Sequence, residues 1–482
     1  MLRRASLVLL CLLAVGCAGD DGASTSADRS STVPALPPVR ERAPVREPAP
    51  VRERAPVRKP APAKRRTYVV VVDGDLNHRI RGARVRVGDQ LDATGRVGAA
   101  AFLLRRGRTA NVSLRARGYA RRTLPVTFNH RQITLRLYRP ASQWPMYGVT
   151  PRRTQAQTSI RLRPPFRVVW SRGIGSLIEF PAVVSDGIAY ISNFNGSVRA
   201  LSMRYGNVVW RYETGGKMAA SPAVVGKRLV VHGMDGNVWV FDRRNGRLLW
   251  RFAVGSPVES SPVVRDGVDF FGAWNGIVYA LDLERRRLRW THRAGAKITS
   301  SASVVGGTVF LGDYGGRVLA LSARTGTRRW SAAVNGRVYG TPAVVGGRVF
   351  VPSSTGNSLT AFSTGGRYLW RVGAGHYVYS SPAVWAGRVY FGSHDGYLRC
   401  VSARTGATLW RAHVGSPISG APTVVAGVVY FASIRGRIYG ADAKSGRVLY
   451  QFPDGQYVPV SGNAGRLLLH GYSRIYAVAP KA

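Results

Sequence analysis

The residues best suited to bind a partner in this sequence are polar and charged side chains that recur just before one strand of each repeat unit. They are Glu179, Lys217, Glu259, Lys297, Arg337, His376 and Tyr377. A ring of mixed charge could hold a peptide or a loop of a partner protein, and the alternative is that these are solvated side chains in a wet channel. Haem and zinc chemistry have no support, because the sequence has no Cys-x-x-Cys-His segment and no spaced histidine pair.

The elements that must position these side chains are repeat units of 40 residues. Each unit closes with an aromatic residue: Trp170, Trp210, Trp250, Trp290, Trp330, Trp370, Trp410 and Tyr450. Within a unit, four short apolar runs are separated by turn signals such as Asp235-Gly236 and Asp395-Gly396, which is typical of one antiparallel sheet. So small a sheet cannot bury both faces alone. The pattern therefore predicts sheets stacked around an axis, a β-propeller in which the aromatic residue docks between neighbouring blades.

The two ends of the repeat region predict how the ring closes. Seven complete units end at Tyr450, and the segment from Tyr457 to Ala479 supplies three further strands but no fourth. The run PFRVVW before the first complete unit has the sequence of a last strand without a blade of its own. We therefore expect Arg167–Ser171 to complete the last blade, which gives an all-β chain with an eight-bladed propeller and no free sheet edge.

The repeat resembles the tryptophan-docking motif of the pyrroloquinoline-quinone (PQQ) repeat family, Ala-x-Asp-x-x-Thr-Gly-x-x-x-Trp. The segments Gly440–Tyr450 and Cys400–Trp410 carry the likeness, and Trp144–Gly148 is similar to the segment that often precedes such propellers. The unit that ends at Trp290 departs from the motif, with Arg286 in place of the glycine. The resemblance spans residues 141–482 and implies the propeller fold.

The same family implies two kinds of function, since it includes quinoprotein dehydrogenases and non-enzymatic propellers such as the lipoprotein of the outer-membrane barrel-assembly machinery. The dehydrogenases need a calcium or similar ion beside the quinone, an acidic general base and, in many members, adjacent cysteines. This sequence has no adjacent cysteines, and several of its few carboxylates, among them Asp186 and Asp266, stand in turns. We therefore expect a non-catalytic protein-binding platform without cofactor or metal, and the alternative is a PQQ-dependent oxidoreductase.

The N-terminus has the features of a secretion signal at residues 1–17. A short basic start precedes an apolar run from Leu7 to Val15 and small residues before Cys17. The ending Ala14-Val15-Gly16-Cys17 resembles the lipobox of bacterial lipoproteins, which implies cleavage before Cys17 and a lipid on its thiol. We therefore expect an extracytoplasmic protein that a lipid anchor tethers to a bacterial membrane. An ordinary secreted protein is the alternative.

Two segments separate this anchor from the propeller, which we place at residues 141–482. Residues 18–65 are small and polar at first and then proline- and arginine-rich, with hexad repeats that favour a stiff extended spacer. Residues 66–140 contain short alternating runs that predict a small β-sandwich. Gly82–Val85 and Ala116–Tyr119 resemble the carboxypeptidase-regulatory-like and PEGA group of transthyretin-like modules, which are accessory and not catalytic.

The formal net charge of +46 raises the question of an anionic partner. Only seven of the 70 basic residues are lysine, and the arginines are spread through every segment without a nucleic-acid-binding motif. This composition is typical of a GC-rich genome, and we expect no nucleic-acid partner. The expected partners are envelope proteins or peptides bound by a monomer, while lipid head groups and anionic wall polymers are the polyanions left open.

Overall fold

The structure is a computed structural model that describes residues 63–481. The expected signal sequence at 1–17, the lipidation site Cys17 and most of the expected linker at 18–65 lie outside the described residues. The first strand begins at Lys64, inside the segment expected to be linker. Within residues 63–481, no helix has the length and apolar character that a membrane crossing needs.

Seven strands form a two-sheet module at the start of the described chain. They are β1 (Lys64–Asp73), β2 (Arg84–Val87), β3 (Gln90–Ala93), β4 (Ala99–Arg105), β5 (Thr109–Arg115), β6 (Arg122–Thr127) and β7 (Gln132–Leu137). One sheet has the order β4-β1-β7 and the other the order β3-β2-β5-β6. In β2, Val85 and Val87 are buried and the two arginines that alternate with them are exposed. The apolar face of the strand therefore packs into the core of the module.

A short connection leads from the two-sheet module to the repeats. It contains the 3-10 helix Pro140–Ser142 and the strands β8 (Ala156–Gln157) and β9 (Phe166–Gly173). Asp75 of the module accepts hydrogen bonds from Gln143 Nε2 and from Asn463 Nδ2, both at 2.8 Å. These bonds join the module to the connection and to the last part of the chain.

The repeats form eight further sheets, which we name sheets 1 to 8 in chain order. Sheet 1 contains β10 (Val183–Ser185), β11 (Ile188–Ser192), β12 (Ser197–Ser202) and β13 (Val208–Glu213). Sheet 2 contains β14 (Ala223–Val225), β15 (Arg228–His232), β16 (Asn237–Asp242) and β17 (Leu248–Ala253). Sheet 3 contains β18 (Val263–Arg265), β19 (Val268–Gly272), β20 (Ile277–Asp282) and β21 (Arg287–Arg293). Sheet 4 contains β22 (Ser303–Val305), β23 (Thr308–Gly312), β24 (Arg317–Ser322) and β25 (Arg328–Ala333).

The remaining sheets follow the same order. Sheet 5 contains β26 (Ala343–Val345), β27 (Arg348–Ser353), β28 (Ser358–Ser363) and β29 (Tyr368–Gly373). Sheet 6 contains β30 (Ala383–Trp385), β31 (Arg388–Gly392), β32 (Tyr397–Ser402) and β33 (Thr408–His413). Sheet 7 contains β34 (Thr423–Val425), β35 (Val428–Ser433), β36 (Arg437–Asp442) and β37 (Val448–Phe452), with β8 added beside β34. Sheet 8 contains β38 (Val460–Gly462), β39 (Leu467–His470), β40 (Arg474–Pro480) and β9.

The local backbone geometry repeats from sheet to sheet. Between the first and second strands of sheets 1 and 3 to 7, two consecutive residues have positive φ, as at Asp186 (52°) and Gly187 (77°). This is the type I′ pattern that suits the twist of a tight hairpin.

Between the third and fourth strands, every sheet has a register shift beside its docking aromatic residue. In sheet 6 this residue, Trp410, pairs with the buried Cys400, and the strand continues to His413 instead of ending at the tryptophan.

The eight sheets follow one another around a closed ring. From sheet 1 to sheet 7 the first strands of consecutive sheets contact each other, and the first strand of sheet 8 contacts that of sheet 1. One apolar cluster contains buried residues of sheets 7, 8 and 1, which completes the ring. In sheet 8, β40 pairs antiparallel with β9, from Arg474 with Gly173 to Pro480 with Phe166. The fourth strand of sheet 8 therefore comes from the N-terminal side of the repeats, as the sequence predicts.

Six docking tryptophans pack on a glycine of the next sheet, and Trp250, whose next sheet has Arg286 at that position, is the exception. A Cβ on Gly326 would come within 2.6 Å of the indole of Trp290, whose Nε1 donates to Ala323 O at 3.0 Å. The same packing joins Trp170 with Gly206, Trp210 with Gly246, Trp330 with Gly366, Trp370 with Gly406 and Trp410 with Gly446. In the unit that departs from the motif, Arg286 has a φ of 56°, a conformation that costs roughly 1 kcal/mol or more for a residue with a side chain.

The buried His470 of sheet 8 predicts a dependence of stability on pH. Burial lowers the pKa of His470 from 6.5 to about 4, and its Nε2 accepts the N–H of Ala182 at 3.1 Å. Because the folded state disfavours the charged ring, this group stabilises the fold fully above pH 6.5, and that stability is lost as the pH falls from 6.5 towards 4.

We expect the free energy of unfolding to drop by up to about 3 kcal/mol over this range through His470 alone. The measurement is urea unfolding at pH 7 and pH 4.5, for the natural chain and for His470→Gln. Burial raises the pKa values of Asp75 and Glu179, so these groups act in the opposite direction, but they are the same in both chains. Equal pH slopes in the two chains would contradict the prediction.

Candidate functional site

Residues 144–157, which we name the closing segment, cover one end of the central channel. The segment donates or accepts backbone hydrogen bonds along the first strands of six sheets. Six of its carbonyl oxygens accept hydrogen bonds from backbone N–H groups of these strands, over 2.7–2.9 Å. The acceptors are Trp144, Pro145, Pro151, Arg152, Thr154 and Gln155, and their donors are, in the same order, Val184, Val224, Val304, Val344, Val384 and Val424. Because the first strands surround the axis, a segment bonded to six of them lies across the channel and closes it at that end.

Arg153 attaches the closing segment to sheets 3 and 4. Its side chain is 1% exposed, and it donates to Ala302 O at 3.0 Å, to Ser261 O at 3.0 Å and to Pro262 O at 2.9 Å. It also donates to the carbonyl of Tyr147 within the segment. Burial lowers the pKa of Arg153 to about 10. The acceptors of this buried guanidinium are thus backbone carbonyls, which gives it a structural role.

A belt of hydroxyl side chains joins neighbouring sheets beside the closing segment. Its members are one repeat apart: Ser221, Ser261, Ser301, Thr341 and Ser381. The backbone N–H of each donates to the hydroxyl of the next, over 2.8–3.2 Å, from Ser221 to Ser381. Tyr147 OH of the closing segment donates to Ser381 Oγ at 3.1 Å. The belt therefore satisfies buried donors at the joins between sheets and connects them to the closing segment.

A cavity of about 60 Å³ lies on the axis next to this belt. Aromatic and hydroxyl side chains line most of it, together with two carboxylates. Among the lining residues are Tyr147, Glu179, Phe180, Glu259, Thr299, Ser301, Tyr339, Thr341, Tyr379, Ser381, Ser419 and Tyr457. Tyr147 belongs to the closing segment, so the segment forms the end wall of the cavity.

The two carboxylates meet at one phenol. Tyr339 OH donates to Glu259 Oε1 at 2.7 Å and lies 3.4 Å from Glu179 Oε1. The second oxygen of Glu259 accepts from Trp274 Nε1 at 2.9 Å. Because a phenol has one proton to donate, the shorter contact takes it, and Glu179 has the weaker share.

Burial raises the pKa values of both carboxyl groups. Burial, followed by repulsion from Glu259, raises the pKa of Glu179 to about 7. Burial also raises the pKa of Glu259, although its hydrogen bonds from Tyr339 and Trp274 oppose the shift. In the part of the chain that the structure describes, neither carboxylate forms an ion pair with a basic side chain. The pair is therefore a partly protonated acidic centre near neutral pH.

Three basic side chains occupy equivalent positions of the repeat, two residues before the level of Glu179 and Glu259. We name them the basic rim: Lys217, Lys297 and Arg337, of which the first and last are exposed. Each lies over an aromatic ring: Lys217 Nζ is 5.2 Å from the ring centre of Phe194, Lys297 Nζ is 3.1 Å from that of Trp274, and Arg337 Cζ is 5.7 Å from that of Tyr314. Lys217 and Arg337 remain accessible beside these rings, whereas Lys297 is half-buried and also attracts Glu259.

The structure separates the seven predicted site residues into two levels. Lys217, Lys297, Arg337 and Tyr377 occupy one register position, since the carbonyl of each accepts from the turn between the second and third strands of its sheet. His376 precedes Tyr377 and is exposed with it. Glu179 and Glu259 stand at a position two residues further along the repeat, and they alone of the seven line the axial cavity. The expected ring of mixed charge is thus a basic rim and a separate acidic centre.

The sequence prediction did not include the other cavity residues that share the repeat position of Glu179 and Glu259. Thr299, Tyr339, Tyr379 and Ser419 follow Glu259 at the 40-residue interval of the repeat and line the same cavity. Strict counting from Glu179 would have found them. The contact of Tyr339 with both carboxylates has no local sequence signal, because it crosses the channel.

The axial cavity is small. Sites for cofactors and drug-sized ligands have volumes of roughly 300–1,000 Å³, whereas this cavity has about 60 Å³. Among residues 63–481, no group of three or more histidine, cysteine, aspartate or glutamate side chains is placed to hold a metal ion.

Comparison with solved structures shows the fold. BamB from Moraxella catarrhalis is 17% identical and covers 65% of this chain and 99% of its own, with a TM-score of 0.57. Quinohemoprotein alcohol dehydrogenase from Comamonas testosteroni is 15% identical and covers 71% of this chain and 81% of its own, with a TM-score of 0.61. A europium-containing methanol dehydrogenase is 12% identical and covers 70% and 98%, with a TM-score of 0.57.

Sequence comparison identifies the family. None of the curated proteins matches this sequence. The family model described as "Beta-alanine-activating enzyme, beta-propeller" matches residues 180–453, which is more than half of the chain and includes sheets 1 to 7. Together with the strand order of the sheets, this match shows that the chain belongs to that family of β-propellers.

Proposed function

We propose that this protein is a non-catalytic β-propeller of eight blades that binds a protein partner at the open end of its channel. The observation that carries the proposal is the asymmetry of the channel. The closing segment bonds across one end, and the other end presents the basic rim of Lys217, Lys297 and Arg337. A partner that enters the channel must therefore do so at its open end, where the loops beside the mouth can also contact it.

The same fold occurs in quinohemoprotein alcohol dehydrogenases, so the choice between a binding protein and an oxidoreductase rests on the axial cavity. A volume of about 60 Å³ and the lack of a three-ligand metal group within residues 63–481 favour binding. A direct test is to incubate the purified protein with PQQ and calcium. Quinone absorbance that stays with the protein, together with dye reduction by alcohols or sugars, would refute the proposal.

The proposal also includes the cellular location of the protein. A lipid on Cys17 would tether it outside the cytoplasm, and the proline-rich linker at 18–65 would hold it away from the membrane. The two-sheet module would serve as an accessory β-sandwich of the transthyretin-like kind. Metabolic labelling with an alkyne palmitate tests the anchor: label should be present in the natural chain and absent from Cys17→Ser.

Charge reversal of the rim tests the binding function. We expect Lys217→Glu, Lys297→Glu and Arg337→Glu together to abolish capture of the envelope partner while the melting temperature changes by only a few degrees, since the altered side chains are at the channel mouth and two of them are exposed. The measurement is affinity capture from envelope extracts followed by mass spectrometry.

The matched control is Arg324→Glu, Arg367→Glu and Arg404→Glu. These arginines are also exposed, lie in the turns between third and fourth strands, and give the same change in net charge. The control should capture the partner as the natural chain does. If the control also loses capture, the overall charge attracts the partner and the rim is not its site. Capture of anionic vesicles that disappears with salt would instead favour a lipid or wall-polymer ligand.

A further inference from the structure

We propose that the axial cavity binds an alkylammonium group, such as the end of a lysine side chain, between the carboxylates of Glu179 and Glu259. The proposal deepens the binding function above in one respect: the lysine belongs to the partner segment that enters the channel mouth. A free small amine has the same chemistry and is the other possible source.

The first argument is negative charge that is only weakly compensated. The two glutamates face each other across Tyr339 OH, and no basic side chain of the described residues forms an ion pair with either carboxylate. Lys297 attracts Glu259 from a longer distance. Glu259 is only 8% exposed. Buried carboxylates are normally paired or bound to a cation. The raised pKa of Glu179 is what a carboxyl shows when that cation is absent from its surroundings.

A second argument comes from a poorly hydrogen-bonded polar atom. Thr299 is 5% exposed and lines the cavity, and its Oγ1 has no well-formed hydrogen bond, although it lies close enough to the Tyr314 hydroxyl to oppose the raised pKa of that phenol. A buried hydroxyl without a partner costs free energy. An ammonium group has three donors, so one group in the cavity could serve the two carboxylates and this hydroxyl at once.

The walls favour an organic cation over a metal ion. Four aromatic residues line the same cavity as the carboxylates: Tyr147 and Phe180, edge to face at 5.5 Å, and Tyr339 and Tyr379, edge to face at 5.6 Å. Aromatic rings around an acidic group bind ammonium ions through cation–π attraction. Calcium, by contrast, takes six to eight oxygen ligands, and the axis supplies two carboxylates. The volume of about 60 Å³ has room for roughly four water-sized groups, which suits an ammonium and the adjoining methylenes.

The basic rim defines the rest of the ligand. A lysine that enters the channel passes Lys217, Lys297 and Arg337, which repel a lone cation. Acidic residues on both sides of the lysine would pair with the rim and offset this repulsion. The ligand that fits both levels is therefore an acidic loop with a central lysine.

Calorimetric titration of the whole protein with synthetic peptides tests the inference. The probe is an acidic pentapeptide, two glutamates on each side of a lysine, with both ends blocked. Its comparison peptide has norleucine in place of lysine, which keeps the methylenes and removes the ammonium. We expect at least tenfold weaker binding of the norleucine peptide, and equal binding of the two peptides would overturn the proposal.

Variants locate the site. Glu179→Gln and Glu259→Gln should each reduce the preference for lysine over norleucine, whereas the control Glu284→Gln, an exposed glutamate on a turn of sheet 3, should keep it. Methylammonium tests the free-amine source: binding of this ion that Glu259→Gln weakens supports the cavity without any peptide. Calcium that binds more tightly than either amine would overturn the proposal in favour of a metal site.

The two proposals fail in different ways. If neither lysine peptide nor methylammonium binds while rim reversal still abolishes partner capture, the ammonium site is wrong and the binding function stands. If the amines bind and the rim reversal leaves capture unchanged, the cavity is a small-molecule site and the proposed binding function is wrong. Because the norleucine comparison uses the natural chain, it decides the question even if a glutamate variant does not fold.

Discussion

A chain that begins at Ile174 is expected to aggregate and to lose the cooperative thermal transition that a chain beginning at Ala141 shows. The shorter chain lacks β9, so β40 has an open edge and sheet 8 keeps three strands. It also lacks the docking of Trp170 on Gly206 and every bond of the closing segment. Unpaired edges and exposed apolar faces both promote aggregation.

Circular dichroism melts and size-exclusion chromatography measure this effect. A third chain that begins at Pro164 keeps β9 and removes the closing segment together with residues 158–163, among them the buried Ile160. It separates strand pairing from closure of the channel. We expect it to be monomeric with a lower melting temperature. Cooperative unfolding of the Ile174 chain at the temperature of the Ala141 chain would show that β9 is dispensable to the ring.

Replacement of Arg153 by methionine should lower the free energy of unfolding by about 4 kcal/mol. Two effects oppose each other. Removing a buried charge recovers its desolvation cost, which favours the variant. The variant, however, leaves the carbonyls of Tyr147, Ser261, Pro262 and Ala302 without their donor, at roughly 1–3 kcal/mol for each buried group. Four unpaired acceptors outweigh one relieved charge.

Urea unfolding of Arg153→Met, with two comparison variants, measures this balance. Arg152→Met changes the exposed neighbour and should cost no more than about 0.5 kcal/mol. Arg153→Lys keeps the charge with fewer donors and should give an intermediate loss. If Arg153→Met is as stable as the natural chain, water or local movement satisfies the carbonyls, and the guanidinium does not fix the closing segment.

The repeat made much of the fold predictable from the sequence. A tryptophan at a constant interval, preceded by a glycine, requires the same local backbone in each unit. The sheets share this backbone, including the register shift beside each aromatic residue. The likeness of the strand ending at Trp170 to the later last strands was enough to predict its pairing with β40. Such features depend on a few neighbouring residues, which a sequence displays directly.

The candidate site was less accessible to sequence reasoning. Glu179 and Glu259 were recognised as axial, but they were grouped with rim residues that lie two positions away in the repeat. Tyr339 was missed because it meets Glu179 across the axis, at a distance set by the diameter of the ring and not by any local pattern. The sequence does not distinguish Arg153 from the many other arginines, because its burial depends on carbonyl groups of two distant sheets.

The pairing of β9 with β40 has a consequence for the order of folding. In sheets 1 to 6 all four strands come from one continuous segment of the chain, so each of these sheets can form soon after that segment is synthesised. Sheet 8 has partners at the two extremes of the repeat region, and β9 with β40 has the greatest sequence separation of the strand pairs among the described residues. We therefore expect this sheet to close last. Until the C-terminal residues arrive, the nascent ring has two open edges, and it is during this interval that the protein is most exposed to proteases and to self-association.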